Sequence, residues 1–195
     1  MKLDRSFYQR DSIMVARELL GKNIVHITSE GVVSGMIVEV EAYKGEIDAA
    51  AHSYKGRRTA RTEVMFGLGG YAYVYLIYGM YYCLNVVSNF REIPEAVLIR
   101  ALEPKEGIDI MSGRRGTSDL KKLCSGPGKL CDAMGITKEH NGMDLCGDRL
   151  FISQGIEIPE ASVEATPRIN IDYAGEAKDY LWRYVIKGSK FLSKY

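Results

Sequence analysis

Residues 71–77, YAYVYLI, and 81–88, YYCLNVVS, flank the tripeptide Tyr78-Gly79-Met80. Both runs are rich in β-branched and aromatic residues, and the short glycine-containing join predicts a β-hairpin. Downstream, the apolar run at 96–102 (AVLIRAL) predicts a third strand. Upstream, residues 23–28 and 32–43 predict another hairpin around Ser29-Glu30-Gly31. Period-two alternation puts Met36, Val38, Val40 and Ala42 on one face of its second strand, and Ile37, Glu39, Glu41 and Tyr43 on the other. Before it, Asp11 predicts the N-cap of a helix over 12–20, with Ile13, Ala16, Leu19 and Leu20 inward and Gly21 as its stop. Helices are expected near 104–112, 117–124 and 127–134, strand-like pieces at 149–153 and 167–171, and a final segment at 179–187. Strands and helices do not alternate regularly. That disfavours a doubly wound parallel sheet and predicts an α+β domain on a mostly antiparallel sheet.

The chain has 195 residues, 46% of them hydrophobic, enough for one domain with a sizeable core. Lys+Arg 26 against Asp+Glu 25 excludes a wholly basic nucleic-acid coat but leaves room for a local basic face. No apolar run reaches the length of a membrane span, and the charged N-terminus, MKLDRSFYQRDS, is not expected to be a secretory signal. Cys83, Cys124, Cys131 and Cys146 form no CxxC pair and read as reduced thiols of an intracellular protein. The 13 tyrosines outnumber the 5 phenylalanines, and six fall between positions 71 and 82. Such a cluster suits a face that is both apolar and wet.

Residues 44–70 form a long, weakly periodic segment, the kind of loop that usually carries function. Glu41 and Tyr43 point the same way just before it, and Asp48, His52 and Ser53 lie inside it. A carboxylate beside a tyrosine suits a general base next to a stacking ring; a solvated strand face is the competing reading. Arg100 interrupts an apolar strand and needs a partner, with Glu39 or Glu41 the natural one. Tyr78, Met80 and Tyr81 at a hairpin tip suit a wedge between DNA base steps, unless the tip folds back and buries them. Asn85 falls four residues past Tyr81, on the same face. Basic residues gather at Lys55, Arg57, Arg58 and Arg61, at Arg114, Arg115, Lys121 and Lys122, and at Lys129 after Gly126-Pro127-Gly128. Together they could track a phosphate backbone, although charged clusters are commonly just solvated surface. A metal hydrolase built on His26, His52 or His140 is disfavoured by their scattered spacing, so no metal site is expected.

Read jointly, VEVEAYKGEIDAAAHSYKGRRTARTEVMFG (38–67), YVYLIYGMYYCLNVV (73–87) and LIRALEPKEG (98–107) resemble the alkyladenine (3-methyladenine) DNA glycosylases of the non-helix-hairpin-helix type. SGPGKLCDAMGI (125–136) and PRINIDYAGEA (167–177) extend the likeness. The resemblance implies a single catalytic domain over residues 1–195 with a curved, mostly antiparallel sheet, surrounding helices and a protruding β-hairpin. It implies a monofunctional repair glycosylase that flips alkylated or deaminated purines (3-methyladenine, 7-methylguanine, hypoxanthine, ethenoadenine) out of double-stranded DNA. A non-catalytic module that binds damaged DNA is the alternative. Glu41 would be the general base, with Arg100 and the Ile169 carbonyl holding the water. Tyr43, His52 and Tyr75 would grip the base, and Asn85 would reject guanine. Tyr78 would fill the gap in the duplex, with Met80, Tyr81, Thr59, Arg115 and Lys129 on the DNA around it. No cofactor is implied and a monomer is expected, cytoplasmic beside the nucleoid in a bacterium or nuclear in a eukaryote. Ala60, Thr62 and Asn170 depart from the family pattern of Pro, Asn and Gly; asparagine suits a left-handed turn.

Overall fold

Two antiparallel hairpins, joined through a long strand between them, build the sheet, as the alternation and turn residues predict. The computed structural model describes residues 1–193. The strands are β1 (Asn23–Thr28), β2 (Gly31–Tyr43), β3 (Ala72–Ile77), β4 (Tyr81–Ser88), β5 (Glu95–Glu106), β6 (Leu150–Ser153), β7 (Val163–Thr166) and β8 (Arg183–Ile186). Their order is β3-β4-β5-β2-β1-β6, with β8 pairing the end of β2 and β7 pairing β8. All of these pairings are antiparallel. On one side β2 carries β1 along its first half and β8 along its second, and the sheet curls into a half-barrel.

The helices are α1 (Arg5–Tyr8), α2 (Ser12–Leu19), α3 (Ile108–Arg115), α4 (Leu120–Leu123) and α5 (Pro127–Met134). The Asp11 carboxylate caps α2 by accepting from the Ile13 amide. Val15, Ala16 and Leu19 of α2 and Leu130 and Met134 of α5 pack with Ile37, Val40, Leu84, Val86, Val97 and Ile99 in the main core. The opposite face of the sheet is covered by the 44–71 connection and the C-terminal segment. There Ala50 meets Ile171, Ala174 and Ala177, while Phe191 and Leu192 lie on Met36, Val38 and Ala101.

Five expectations are corrected. In β2 and β5, Ile37 pairs with Leu102, Glu39 with Ala101 and Val40 with Ile99, so Val38 and Arg100 have no cross-strand partner. This double bulge re-phases the alternation. Ile37 joins Val40 and Ala42 in the main core, and Met36 and Val38 belong to the opposite cluster. The helix expected near 104–112 begins only at Ile108, because Pro104 and Glu106 still pair with Gly35 and Ser34. Of residues 117–124 only the four of α4 are helical, after an Asp119 cap. The strand placed at 167–171 falls instead at Val163–Thr166, and the final segment reduces to Arg183–Ile186; Asn170 turns left-handed at φ 58°.

Behind the sheet, His26 and His140 meet edge to face with their Nε2 atoms 3.2 Å apart. His26 Nδ1 donates to the Met134 carbonyl at 2.8 Å, and His140 Nδ1 accepts the Thr137 amide at 3.1 Å. Each ring is therefore neutral with a defined tautomer. Burial first, with Arg149 nearby, holds both below the ordinary histidine value of 6.5. Unfolded histidine then binds protons that the folded rings refuse. Their contribution to stability is full above pH 6.5 and falls as the pH drops below it. Urea denaturation should therefore give lower stability at pH 5 than at pH 7, and His140→Gln should flatten that slope; an unchanged slope contradicts the assignment.

Candidate active site

The bulge decides which side chains share the covered face. One row crosses five strands: Tyr73 on β3 faces Asn85 on β4, Asn85 faces Leu98 on β5, Leu98 faces Glu41 on β2, and Glu41 faces Arg183 on β8. Two strand spacings, about 10 Å, separate Asn85 from Glu41. Above the row opens a cleft of about 550 Å³.

Two fully buried carboxylates stand at its base with different surroundings. Glu39 accepts four hydrogen bonds: Arg100 Nε at 3.0 Å, Arg183 Nε at 2.8 Å, the Ser193 hydroxyl at 2.7 Å and the Ser193 amide at 2.6 Å. Four donors equal the roughly four lone-pair sites of a carboxylate, three of them crowding Oε1. Glu41 accepts three: the Ile169 amide at 2.8 Å on Oε1, and the Tyr43 hydroxyl at 2.9 Å and Arg100 Nη1 at 3.4 Å on Oε2. Of the two, Glu41 has the fewer donors. It lies beneath Tyr43, Arg100 and Ile169, which all line the cleft.

A third buried pair braces this floor. Arg168 grips Asp48 through both terminal nitrogens, at 2.5 and 2.8 Å, and also donates to the Ala42 and Ala177 carbonyls. Its guanidinium lies 4.7 Å from the Tyr43 ring centroid and 5.0 Å from that of Trp182. Burial, then the Glu41 charge, pushes the Tyr43 hydroxyl well above its usual range, so it remains a donor.

Aromatic rings wall the cleft. His52 meets Tyr75 edge to face at 4.7 Å, and its Nδ1 lies 2.9 Å from the Tyr73 hydroxyl. Burial, reinforced by Arg61 and Arg57, lowers the His52 pKa to about 4, leaving a neutral ring. Asn85 is held by a hydrogen bond that its side-chain amide donates to the Tyr73 carbonyl at 3.1 Å. At the mouth, the hairpin tip stays out: Tyr78 is 74% exposed and has φ 53°, rare for a bulky residue. Tyr81 lies against the start of α5, where a Cβ on Gly128 would come within 2.9 Å of its ring. The absence of a side chain at 128 permits that contact.

The structure thus gathers Tyr43, His52, Tyr75, Tyr78, Tyr81, Asn85, Arg100, Arg115, Lys129 and Ile169 around one cleft, with Glu41 below. It leaves Met80 outside, 67% exposed on the tip. Thr59 lines an adjoining hollow with Arg57, Arg61 and Tyr173. Thr62 supports that loop: its hydroxyl accepts the Thr59 amide at 2.8 Å and donates to the Arg57 carbonyl at 3.1 Å. The basic clusters are only partly available. Arg58 is paired with Glu63 and Glu92, and Arg114 with Glu30. Arg168, Arg183 and Ser193 carry no local sign of these roles in the sequence, apart from the place of Arg168 inside the PRIN stretch, because their partners are distant. Among the described residues no three His, Cys, Asp or Glu side chains converge as a metal-binding group.

Comparison with known proteins places the chain in a family. Residues 6–190 match the family model described as methylpurine-DNA glycosylase. A protein of Clostridium acetobutylicum is 56% identical over 99% of this chain and 98% of its own length. One of Bacillus cytotoxicus is 52% identical over the whole of both chains, and one of Desulfitobacterium hafniense 48% identical over 98% of each. All three are provisionally named 3-methyladenine DNA glycosylases. Among the described residues no helix is long and apolar enough to cross a membrane.

The Asp48–Arg168 pair yields a stability prediction. Asp48→Ala would leave a buried guanidinium without its counter-charge, and should cost about 3–5 kcal/mol in chemical denaturation. A loss below about 1 kcal/mol, the value of a surface pair, would contradict its bracing role.

Proposed function

This chain belongs to the methylpurine-DNA glycosylase family, as a hydrolase of N-glycosidic bonds in DNA repair, and from that premise we propose that it removes alkylated or deaminated purines through a water activated by Glu41. The observation that carries the reading is the contrast between two adjacent buried carboxylates: Glu39 has four donors and Glu41 three.

A damaged purine inside the duplex is out of reach and must rotate out of the stack. Rotation costs a few kcal/mol, least for a base that already pairs poorly. Tyr78 stands exposed on a short hairpin, where it can enter the gap, with Met80 and Tyr81 beside it. Lys129 and Arg115 line the cleft and Thr59 the adjoining hollow, and all three suit phosphate contacts. The extruded base would stack among Tyr43, Tyr75 and His52, at about 1–3 kcal/mol per stacked base. Asn85, fixed by the Tyr73 carbonyl, would oppose the exocyclic amine of guanine.

The attacking water would sit between the Glu41 carboxylate, Arg100 and the Ile169 carbonyl. Glu41 takes its proton as oxygen bonds to the sugar C1′ and the electrons of the glycosidic bond leave with the base. The sugar gains positive charge in the transition state, and the Glu41 anion stabilises it. Tyr43 and the Ile169 amide keep that anion in place. N3- and N7-alkylated purines already carry positive charge and leave without protonation. Among the described residues no lysine bonds Glu41, which favours simple hydrolysis to an abasic site over Schiff-base strand cleavage. The chain would act as a monomer in a bacterial cytoplasm, beside the nucleoid.

The deciding experiment incubates a duplex bearing one hypoxanthine or ethenoadenine with the protein in EDTA, then reveals abasic sites with alkali. Excision is expected; duplex binding without base release would indicate a damage-binding module instead. Glu41→Gln should slow single-turnover excision about 10²–10⁴-fold while sparing DNA affinity. Tyr78→Ala should weaken lesion-duplex binding more than single-strand binding, and equal losses on both would remove the wedge. Because His52 is neutral down to about pH 4, His52→Gln should leave any rate inflection near pH 6–7 in place.

A further inference from the structure

Ser193 lies 93 residues beyond Arg100, yet it is 6% exposed and sits against it. Its amide and hydroxyl donate to the two oxygens of Glu39 at 2.6 and 2.7 Å. The same hydroxyl accepts from Arg100 Nη2 at 3.4 Å. Phe191 and Leu192, just before it, are seated on Met36, Val38 and Ala101. Arg100 is thus held at Nε by Glu39 and at Nη2 by Ser193, and its Nη1 reaches Glu41. A guanidinium is a rigid planar fork, so fixing two of its nitrogens sets the direction of the third.

We infer that Ser193 is a positioning residue for base excision: by clamping Glu39 and the Arg100 fork, it sets the angle at which Arg100 meets Glu41. Ser193 touches neither the base nor the sugar in this scheme and acts through Arg100. The inference rests on the proposed role of Glu41. Glu39 itself is a poor probe, since its loss would leave two buried guanidiniums without their shared anion and threaten folding.

Ser193→Ala removes the hydroxyl and keeps the amide donor; Ser193→Thr keeps both. Single-turnover excision from a hypoxanthine duplex should fall about tenfold in the alanine variant, with DNA affinity unchanged, and return to within about twofold of the parent in the threonine variant. In parallel, the arginine Nε–H resonance of Arg100, assigned by its loss in Arg100→Lys, should move in the alanine variant and return in the threonine variant. Unchanged rate and resonance in Ser193→Ala would overturn the inference. So would a rate loss that matches a loss of folded protein by near-ultraviolet circular dichroism. If the parent protein excises no base, the proposed function fails, and the resonance alone decides the clamp: a displaced Arg100 signal supports it and an unmoved one overturns it.

Discussion

Six buried charges hold this site together: Glu39, Glu41 and Asp48 against Arg100, Arg168 and Arg183. They sum to zero, and the spacing of their hydrogen bonds leaves each anion with guanidinium partners. Burying an unpaired ion costs several kcal/mol, so neither Asp48 nor Arg168 can be lost without stranding the other, while Glu39 and Arg100 are each shared between two partners. The network also crosses the fold. Asp48 sits in the long connection, Arg168 and Arg183 come from the C-terminal third, and the other three stand on the central strands. Electrostatics therefore fastens the covering segments to the sheet and, in the same bonds, orients the carboxylate proposed to do the chemistry.

β2 and β5 bulge together beside the network. Without the bulge, strict alternation would put Ile37 and Leu102 on the cleft face and Val38 and Ala101 in the main core, the reverse of what the packing shows. With it, Arg100, Glu39 and Glu41 face the cleft while Ile37, Val40 and Ile99 stay in the main core. Period-two reading could not reveal this. The residues Val38-Glu39 and Arg100-Ala101 contain no glycine or proline to mark a break, and a bulge is a property of two strands at once.

Local structure was otherwise legible where its cause is local. The Asp11 cap, the turn at Ser29-Glu30-Gly31 and the Tyr78-Gly79-Met80 tip each follow from a few adjacent residues. Family likeness supplied Glu41, Tyr43, His52, Tyr75, Asn85, Arg100 and Ile169, and they do converge. What stayed hidden were pairings across long separations, such as Asp48 with Arg168 or Glu39 with Ser193. Such contacts leave no periodicity or motif. The Ile169 amide illustrates the same point from the other side. A stretch that looked like a strand is instead irregular, and its N–H bonds a carboxylate rather than a neighbouring strand.

The row from Tyr73 to Arg183 has an architectural consequence. The breadth of the cleft along that row is graduated by hydrogen-bonded strands, and can change only by whole steps of about 4.8 Å. Between the amide of Asn85 and the acid of Glu41 lies a single intervening strand, carrying Leu98. Altering that gauge would require inserting or deleting a strand, which no point substitution accomplishes. Divergence among such proteins in what they accept must then come from depth and from the length of the side chains at the rim, while the sheet keeps the caliper fixed.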